Sequence, residues 1–163
     1  MSIETILVKV SGDLVKNPDV LGEIKDLAKS ALVDIAYGFG TELSNELKTK
    51  GIPFTYVDGI RKTNEEGLEV ALAVSEKFKN ELKTEFSGYD NITLVSPVEK
   101  VNNKIVNTNS DEIVRQRKEE YSRIIIYTKE GRNKDNLKRE IPNIEIRYKP
   151  WATCLLKKQK ELF

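Results

Sequence analysis

Three short stretches carry residue types suited to holding an anion. Lys9 precedes Ser11-Gly12, Gly38-Phe39-Gly40 follows a second apolar run, and Asp58-Gly59-Ile60-Arg61 follows a third. Glycines let backbone N–H groups approach and point at an anion, a helix N-terminus adds partial positive charge, and lysine supplies a compact full charge. Phosphate suits that combination, and Arg61 offers a rigid fork that fits a carboxylate. Taken singly, each feature has an ordinary structural explanation: a solvated lysine, a glycine turn, a surface arginine. Their ordered combination is what points to a ligand.

Composition narrows the chemistry. The chain has 163 residues and no histidine, which removes Ser-His-Asp and Cys-His catalysis, histidine metal sites and imidazole acid/base steps. No metal site is expected. Any reaction here runs on lysine, arginine, carboxylates, hydroxyls or backbone amides. Lys+Arg 27 against Asp+Glu 26 gives a net charge of +1, so no chain-wide field favours nucleic acid or anionic lipid. The single cysteine, Cys154, excludes an intrachain disulfide and fits a reducing, cytoplasmic setting. The first residues lack a basic segment before an apolar run, and no apolar run approaches the ~20 residues that span a bilayer. Neither a signal peptide nor a membrane anchor is expected.

The elements that must position these residues follow from periodicity and punctuation. Ile6 to Val10 reads as a buried strand stopped by Ser11-Gly12-Asp13, and Asn17-Pro18-Asp19 opens an amphipathic helix. Leu32 to Ala36 is a second strand, Thr41 to about Lys50 a helix capped by Thr41 and closed by Gly51, and Phe54 to Val57 a third strand. Thr63-Asn64-Glu65-Glu66 has capping-box spacing ahead of a helix whose apolar face continues to Phe86. Ile92 to Val95, a break at Pro97, a turn at Asn102-Asn103 and Ile105-Val106 suggest a hairpin-like excursion. A charged helix from Asp111 to Tyr121, a strand from Arg123 to Thr128, a basic helix near Asp135 to Glu140 and a strand from Ile144 to Tyr148 complete the chain. Strands alternating with helices predict one domain over residues 1–163. Its fold class is α/β, a three-layer αβα sandwich with a mainly parallel sheet and its ligand site at the carboxyl ends of the strands.

Several motifs in this order resemble the amino acid kinase superfamily, and its acetylglutamate kinase branch in particular. They are Lys9-Val10-Ser11-Gly12, Ala36-Tyr37-Gly38-Phe39-Gly40-Thr41, Asp58-Gly59-Ile60-Arg61-Lys62-Thr63, Asn107-Thr108-Asn109-Ser110-Asp111 and Ile124 to Gly131. In that family the corresponding stretches are Lys-x-Gly-Gly, His-Gly-Gly-Gly, Asn-Gly-Leu-Arg-x-Thr and Asn-x-Asn-Ala-Asp. Uridylate kinases of the superfamily carry Lys-x-Ser-Gly, as Ser11 does here. The similarity covers about residues 5–132. It implies an αβα sandwich that transfers the γ-phosphoryl group of MgATP to a small carboxylate acceptor. Lys9 would stabilise the transferring group, Gly12, Gly38 and Gly40 would cradle phosphate or acceptor, and Arg61 would grip the acceptor carboxylate. Asn107 or Asn109 would help hold the acceptor, and Asp111 would orient catalytic lysines. Phosphoryl transfer needs positioning and charge stabilisation, so lacking histidine is no obstacle.

The departures define the alternatives. Tyr37 stands at the usual histidine, Lys129 where many members have aspartate, and Phe39 at the middle glycine, where its bulk would crowd a phosphate. Residues 133–163 would be a short remnant of the family's nucleotide lobe. One reading is therefore a kinase, alone or as half of a split enzyme; another is a non-catalytic relative that binds a small anionic metabolite without MgATP. A third is a structural, dimerising domain in which Asp111 only caps a helix and Lys9 is solvated. The helix from Asn64 to Phe86 suits a core or a homodimer interface, and Lys157-Lys158-Gln159-Lys160 reads as a solvated helix end rather than a nucleic-acid patch.

Overall fold

A computed structural model of the chain describes residues 2–150, so Cys154 and the stretch 157–160 lie outside the described residues. Its centre is a five-stranded sheet of β1 (Glu4–Val10), β2 (Ala31–Tyr37), β5 (Ile92–Val95), β8 (Arg123–Lys129) and β9 (Glu145–Lys149). The order is β5-β2-β1-β8-β9, and every pairing is parallel. Alternation along the strands divides the interior in two. Ile6, Val8, Val10, Val33, Ile35, Tyr37, Ile125 and Tyr127 face α1 (Pro18–Leu27), α2 (Gly40–Thr49) and α3 (Glu65–Glu85). Leu7, Ala36, Ile124 and Ile126 face α4 (Ser110–Arg117) and α5 (Asp135–Glu140). This is the expected αβα sandwich. The buried stripe of α3, which includes Ala71, Val74, Phe78 and Leu82, packs on its own sheet.

Two antiparallel hairpins stand outside the sheet: β3 (Phe54–Val57) with β4 (Ile60–Thr63), and β6 (Val98–Val101) with β7 (Lys104–Asn107). The second is the excursion expected around Asn102-Asn103, whose φ values of 49° and 63° make a two-residue turn. The first corrects the sequence reading. Phe54–Val57 joins no parallel ladder; Asp58 and Gly59, with φ 50° and 76°, turn the chain straight back. Arg61 therefore sits within a hairpin strand and not at a strand end of the central sheet.

Helix starts differ locally from expectation. Asn17 caps α1 as predicted, accepting from the N–H groups of Asp19 and Val20. The α3 cap is Asn64, which accepts from Gly67 N–H, while Thr63 Oγ1 donates to Pro53 O at 2.9 Å. Phe39, not Thr41, occupies the cap position of α2 and supplies no side-chain bond. The helix after Asp111 ends at Arg117 and tightens into a 3-10 turn over Lys118–Glu120.

Candidate functional site

The chain runs from β1 outward to β2 and β5, then returns to β8 on the other side of β1. Connections leave on opposite faces there, which opens a crevice beyond the carboxyl ends of β1 and β8. A cavity of about 340 Å³ occupies that place. Lys9, Ser11, Gly12, Gly38, Phe39, Gly40, Arg61, Asn107 and Asn109 all line it. Asp111 lies just behind, in contact with Lys9. Residues from four separate segments are thereby brought together.

Lys9 is 4% exposed because its neighbours in register, Ala36 and Ile126, enclose its stem. Its Nζ lies 3.0 Å from Asp111 Oδ1 and donates to Ser11 Oγ at 3.4 Å; Ser11 Oγ in turn donates to Thr128 Oγ1. The other carboxylate oxygen of Asp111 accepts from Lys134 Nζ at 2.8 Å. One carboxylate thus holds two ammonium groups. Burial pushes the Lys9 amine down to about 8, opposed by the Asp111 charge, and the Lys134 charge pushes in the same direction as burial. Burial alone would raise the Asp111 carboxyl, but the Lys9 charge and the Lys134 bond hold it at about 2.

Arg61 is the other buried cation, 8% exposed. It contacts no carboxylate among the described residues. Its Nη2 donates to Gly40 O at 3.0 Å, Ser44 Oγ at 2.7 Å and Tyr56 Oη at 2.6 Å. The ring centroids of Phe54 and Tyr56 lie 5.1 and 5.2 Å from the guanidinium carbon, and Nε has no hydrogen-bond partner among the described residues. Neutral acceptors and π faces solvate this charge without cancelling it.

The glycine loops approach one another backbone to backbone. A Cβ on Gly12 would lie 3.1 Å from Gly38 O and from Phe39 Cα, so any side chain there forces the loops apart. Gly38 N donates to Val10 O and Ser11 N to Tyr127 O, which ties both loops to the strand ends. Phe39 departs from the expected crowding. Its φ of −150° suits any residue, and its ring is buried between Tyr37 and Phe78, at 6.1 and 5.8 Å. Tyr37 is itself buried and bonds Ser75. Gly40 opens α2, whose first amides have no side-chain cap.

Asp111 is not a helix cap: Asn109 caps α4, accepting from Glu112 N–H at 2.7 Å. Asn109 Nδ2 donates to Gly59 O at 3.0 Å and Asn107 Nδ2 to Arg61 O at 2.6 Å, so both amides serve protein partners. Sequence reasoning missed Lys134, Thr128, Ser44 and Tyr56. Tyr56 had a signal, since Asp58-Gly59 between two β-prone runs predicts a hairpin that sets Tyr56 opposite Arg61. Lys134 had none, because only the fold carries the loop after β8 to Asp111. Lys129 pairs with Asp13 at 3.0 Å.

No family model matches the chain. It is 29% identical to the acetylglutamate kinase of Clostridium acetobutylicum over 109 residues, which is 63% of this chain and 36% of that enzyme. The chain thus spans about a third of that relative. Among solved structures it shares its fold with N-acetylglutamate synthase from Neisseria gonorrhoeae. The complex with coenzyme A and L-arginine gives TM-score 0.63 at 10% identity, over 92% of this chain and 57% of the other. The complex with coenzyme A and N-acetyl-glutamate gives TM-score 0.66 at 10% identity, over 94% and 55%. The protein smu.665 from Streptococcus mutans UA159 gives TM-score 0.59 at 14% identity, over 89% and 86%. What these likenesses define is a parallel-sheet α/β fold, with partial sequence similarity to one acetylglutamate kinase. No helix of the described residues is long and apolar enough to cross a membrane.

Proposed function

We propose that the crevice binds a small acidic metabolite through its carboxylate, of the acetylglutamate type. The observation that carries this reading is Arg61: a buried, permanently charged fork, with no carboxylate partner among the described residues, lining a cavity that also contains Lys9. Burying a cation without an anion is unfavourable, so an incoming carboxylate gains charge-assisted bonds of about 1.5–3 kcal/mol. Calorimetric titration with N-acetyl-L-glutamate tests it. Saturable binding that Arg61→Ala weakens at least tenfold supports the reading; flat titrations across acyl-amino acids and related carboxylates remove it.

A second reading, phosphoryl transfer from MgATP to that carboxylate, is favoured by Asp111 holding Lys9 and Lys134 together. The acceptor oxygen would attack the γ-phosphorus, the bond to ADP would break, and no proton would need to move. Two ammonium groups would carry charge on the transferring oxygens, and Gly12 backbone would lie against them. The lining offers cations and amides rather than an acidic cluster, so the divalent ion would arrive chelated by the nucleotide. ADP release with N-acetyl-L-glutamate, abolished by Lys9→Ala, is the expected result; no turnover with any carboxylate acceptor leaves binding alone.

A further inference from the structure

The hairpin that carries Arg61 belongs to no strand of the central sheet. Side-chain bonds hold it against the rest of the site from two sides. On the α2 side Arg61 reaches Gly40 O and Ser44 Oγ. On the α4 side two amides reach back, Asn107 to Arg61 O and Asn109 to Gly59 O. Asn109 differs from Asn107 in what its other atom does. Its Oδ1 caps α4 through Glu112 N–H, and Asp111 lies between the two residues of that cap in the same helical turn. Beyond this turn α4 is fixed by Ile113 and Val114, at 5% and 0% exposure. A single side chain therefore links the turn tip of the Arg61 hairpin to the turn that aims the carboxylate between Lys9 and Lys134.

We infer that Asn109 is a positioning residue that couples the Arg61 hairpin to the Lys9–Asp111–Lys134 cluster, so that an anion seated at Arg61 sets the geometry offered to an anion at the lysines. The inference rests on the reading of the crevice as a carboxylate site and adds a link between its two cationic parts. A ligand that draws Arg61 moves the hairpin, and the hairpin carries Gly59 O with it. Asn109 transmits that displacement to the first turn of α4 as long as both of its bonds hold. Coupling of this kind is reciprocal: whatever factor a carboxylate imposes on phosphate affinity, phosphate imposes on carboxylate affinity.

The test separates the latch from the cap. Serine and aspartate are both good N-caps, so Asn109→Ser and Asn109→Asp retain the start of α4. Neither can donate an amide hydrogen to Gly59 O. Two probes are titrated by calorimetry, inorganic phosphate for the lysine cluster and N-acetylglycine for Arg61, each alone and in the presence of saturating partner. The coupling factor is the ratio of phosphate affinities with and without N-acetylglycine. Repulsion between the two anions is common to all the proteins, so a change in the factor on substitution isolates the latch. The expected result is a change of about threefold or more in both variants, with a melting temperature close to that of the parent. Equal factors in parent and variants, within experimental error, overturn the latch while leaving the carboxylate site standing. A parent chain that binds neither probe removes the carboxylate site and the latch together.

Discussion

Lys9 and Arg61 line the same crevice and are almost equally hidden from water, yet the fold handles their charges differently. Lys9 lies in a strand of the central sheet and is paired by Asp111, which it shares with Lys134. Arg61 lies in a hairpin outside that sheet and is surrounded by a carbonyl, two hydroxyls and two aromatic rings. A buried ammonium can shed its proton, so it needs a counter-ion to stay charged; a guanidinium cannot, so neutral acceptors suffice and its charge remains for a ligand. Under the proposed carboxylate-site reading, this difference would fit the two positions to different anions, a compact tetrahedral one at the lysines and a planar carboxylate at the arginine.

The comparison is broken most forcefully at Asp111. Asp111→Asn strands two lysines on a neutral amide, and we expect a loss on the order of 3 kcal/mol in urea unfolding, with the double variant Lys9→Met, Asp111→Asn recovering part of it. Arg61→Ala comes next: N-acetyl-L-glutamate affinity is expected to fall by about 2 kcal/mol, while the pH dependence of phosphate binding stays as in the parent.

The pH response sharpens the contrast. The folded Lys9 amine loses its proton near pH 8, against 10.5 for the free side chain. The unfolded chain therefore holds that proton more tightly, and Lys9 makes stability rise with pH between 8 and 10.5. Asp111 gives a slope of the same sign in an acid window, with its carboxyl moved from 3.8 to about 2. Its contribution is complete above the unfolded value and is lost as pH falls through the folded one. Phosphate affinity, which needs the ammonium, is expected to drop up to about tenfold per pH unit above 8. Carboxylate binding through Arg61 stays level over the same range. Lys134→Met removes a neighbouring positive charge, so the Lys9 midpoint moves above 8, as NMR titration of the lysine ε-methylene would record. The smallest effect belongs to Tyr56→Phe, which deletes one bond to Arg61 and costs about 1 kcal/mol in carboxylate affinity.

What was legible in the sequence was whatever local chemistry dictates. The β-branched runs of β1 and β8, the Asn17-Pro18 helix start and the Asn102-Asn103 turn each follow from conformational preferences within a few residues. So did the candidate site as a set of types, since the glycines, Lys9 and Arg61 stand beside turns and element ends. The misreadings occur where two distant segments compete for the same backbone or side chain. Phe54–Val57 is strand-like in any context, but whether it joins the sheet or folds back on Ile60–Thr63 is a question of pairing, and the Asp58-Gly59 turn decided it. Phe39 is bulky in sequence, but its ring turns into a gap between Tyr37 and Phe78 that exists only once α3 lies on the sheet. Asp111 and Asn109 are equally good caps by type, and the cap went to the residue that could also reach Gly59 O, which left the carboxylate to Lys9 and Lys134. Sequence by itself thus determined the elements and the stock of cations and glycines, because those depend on neighbours along the chain. The tertiary structure alone decided which cation has a carboxylate and which has none among the described residues, because burial and pairing depend on residues 23 to 102 positions apart.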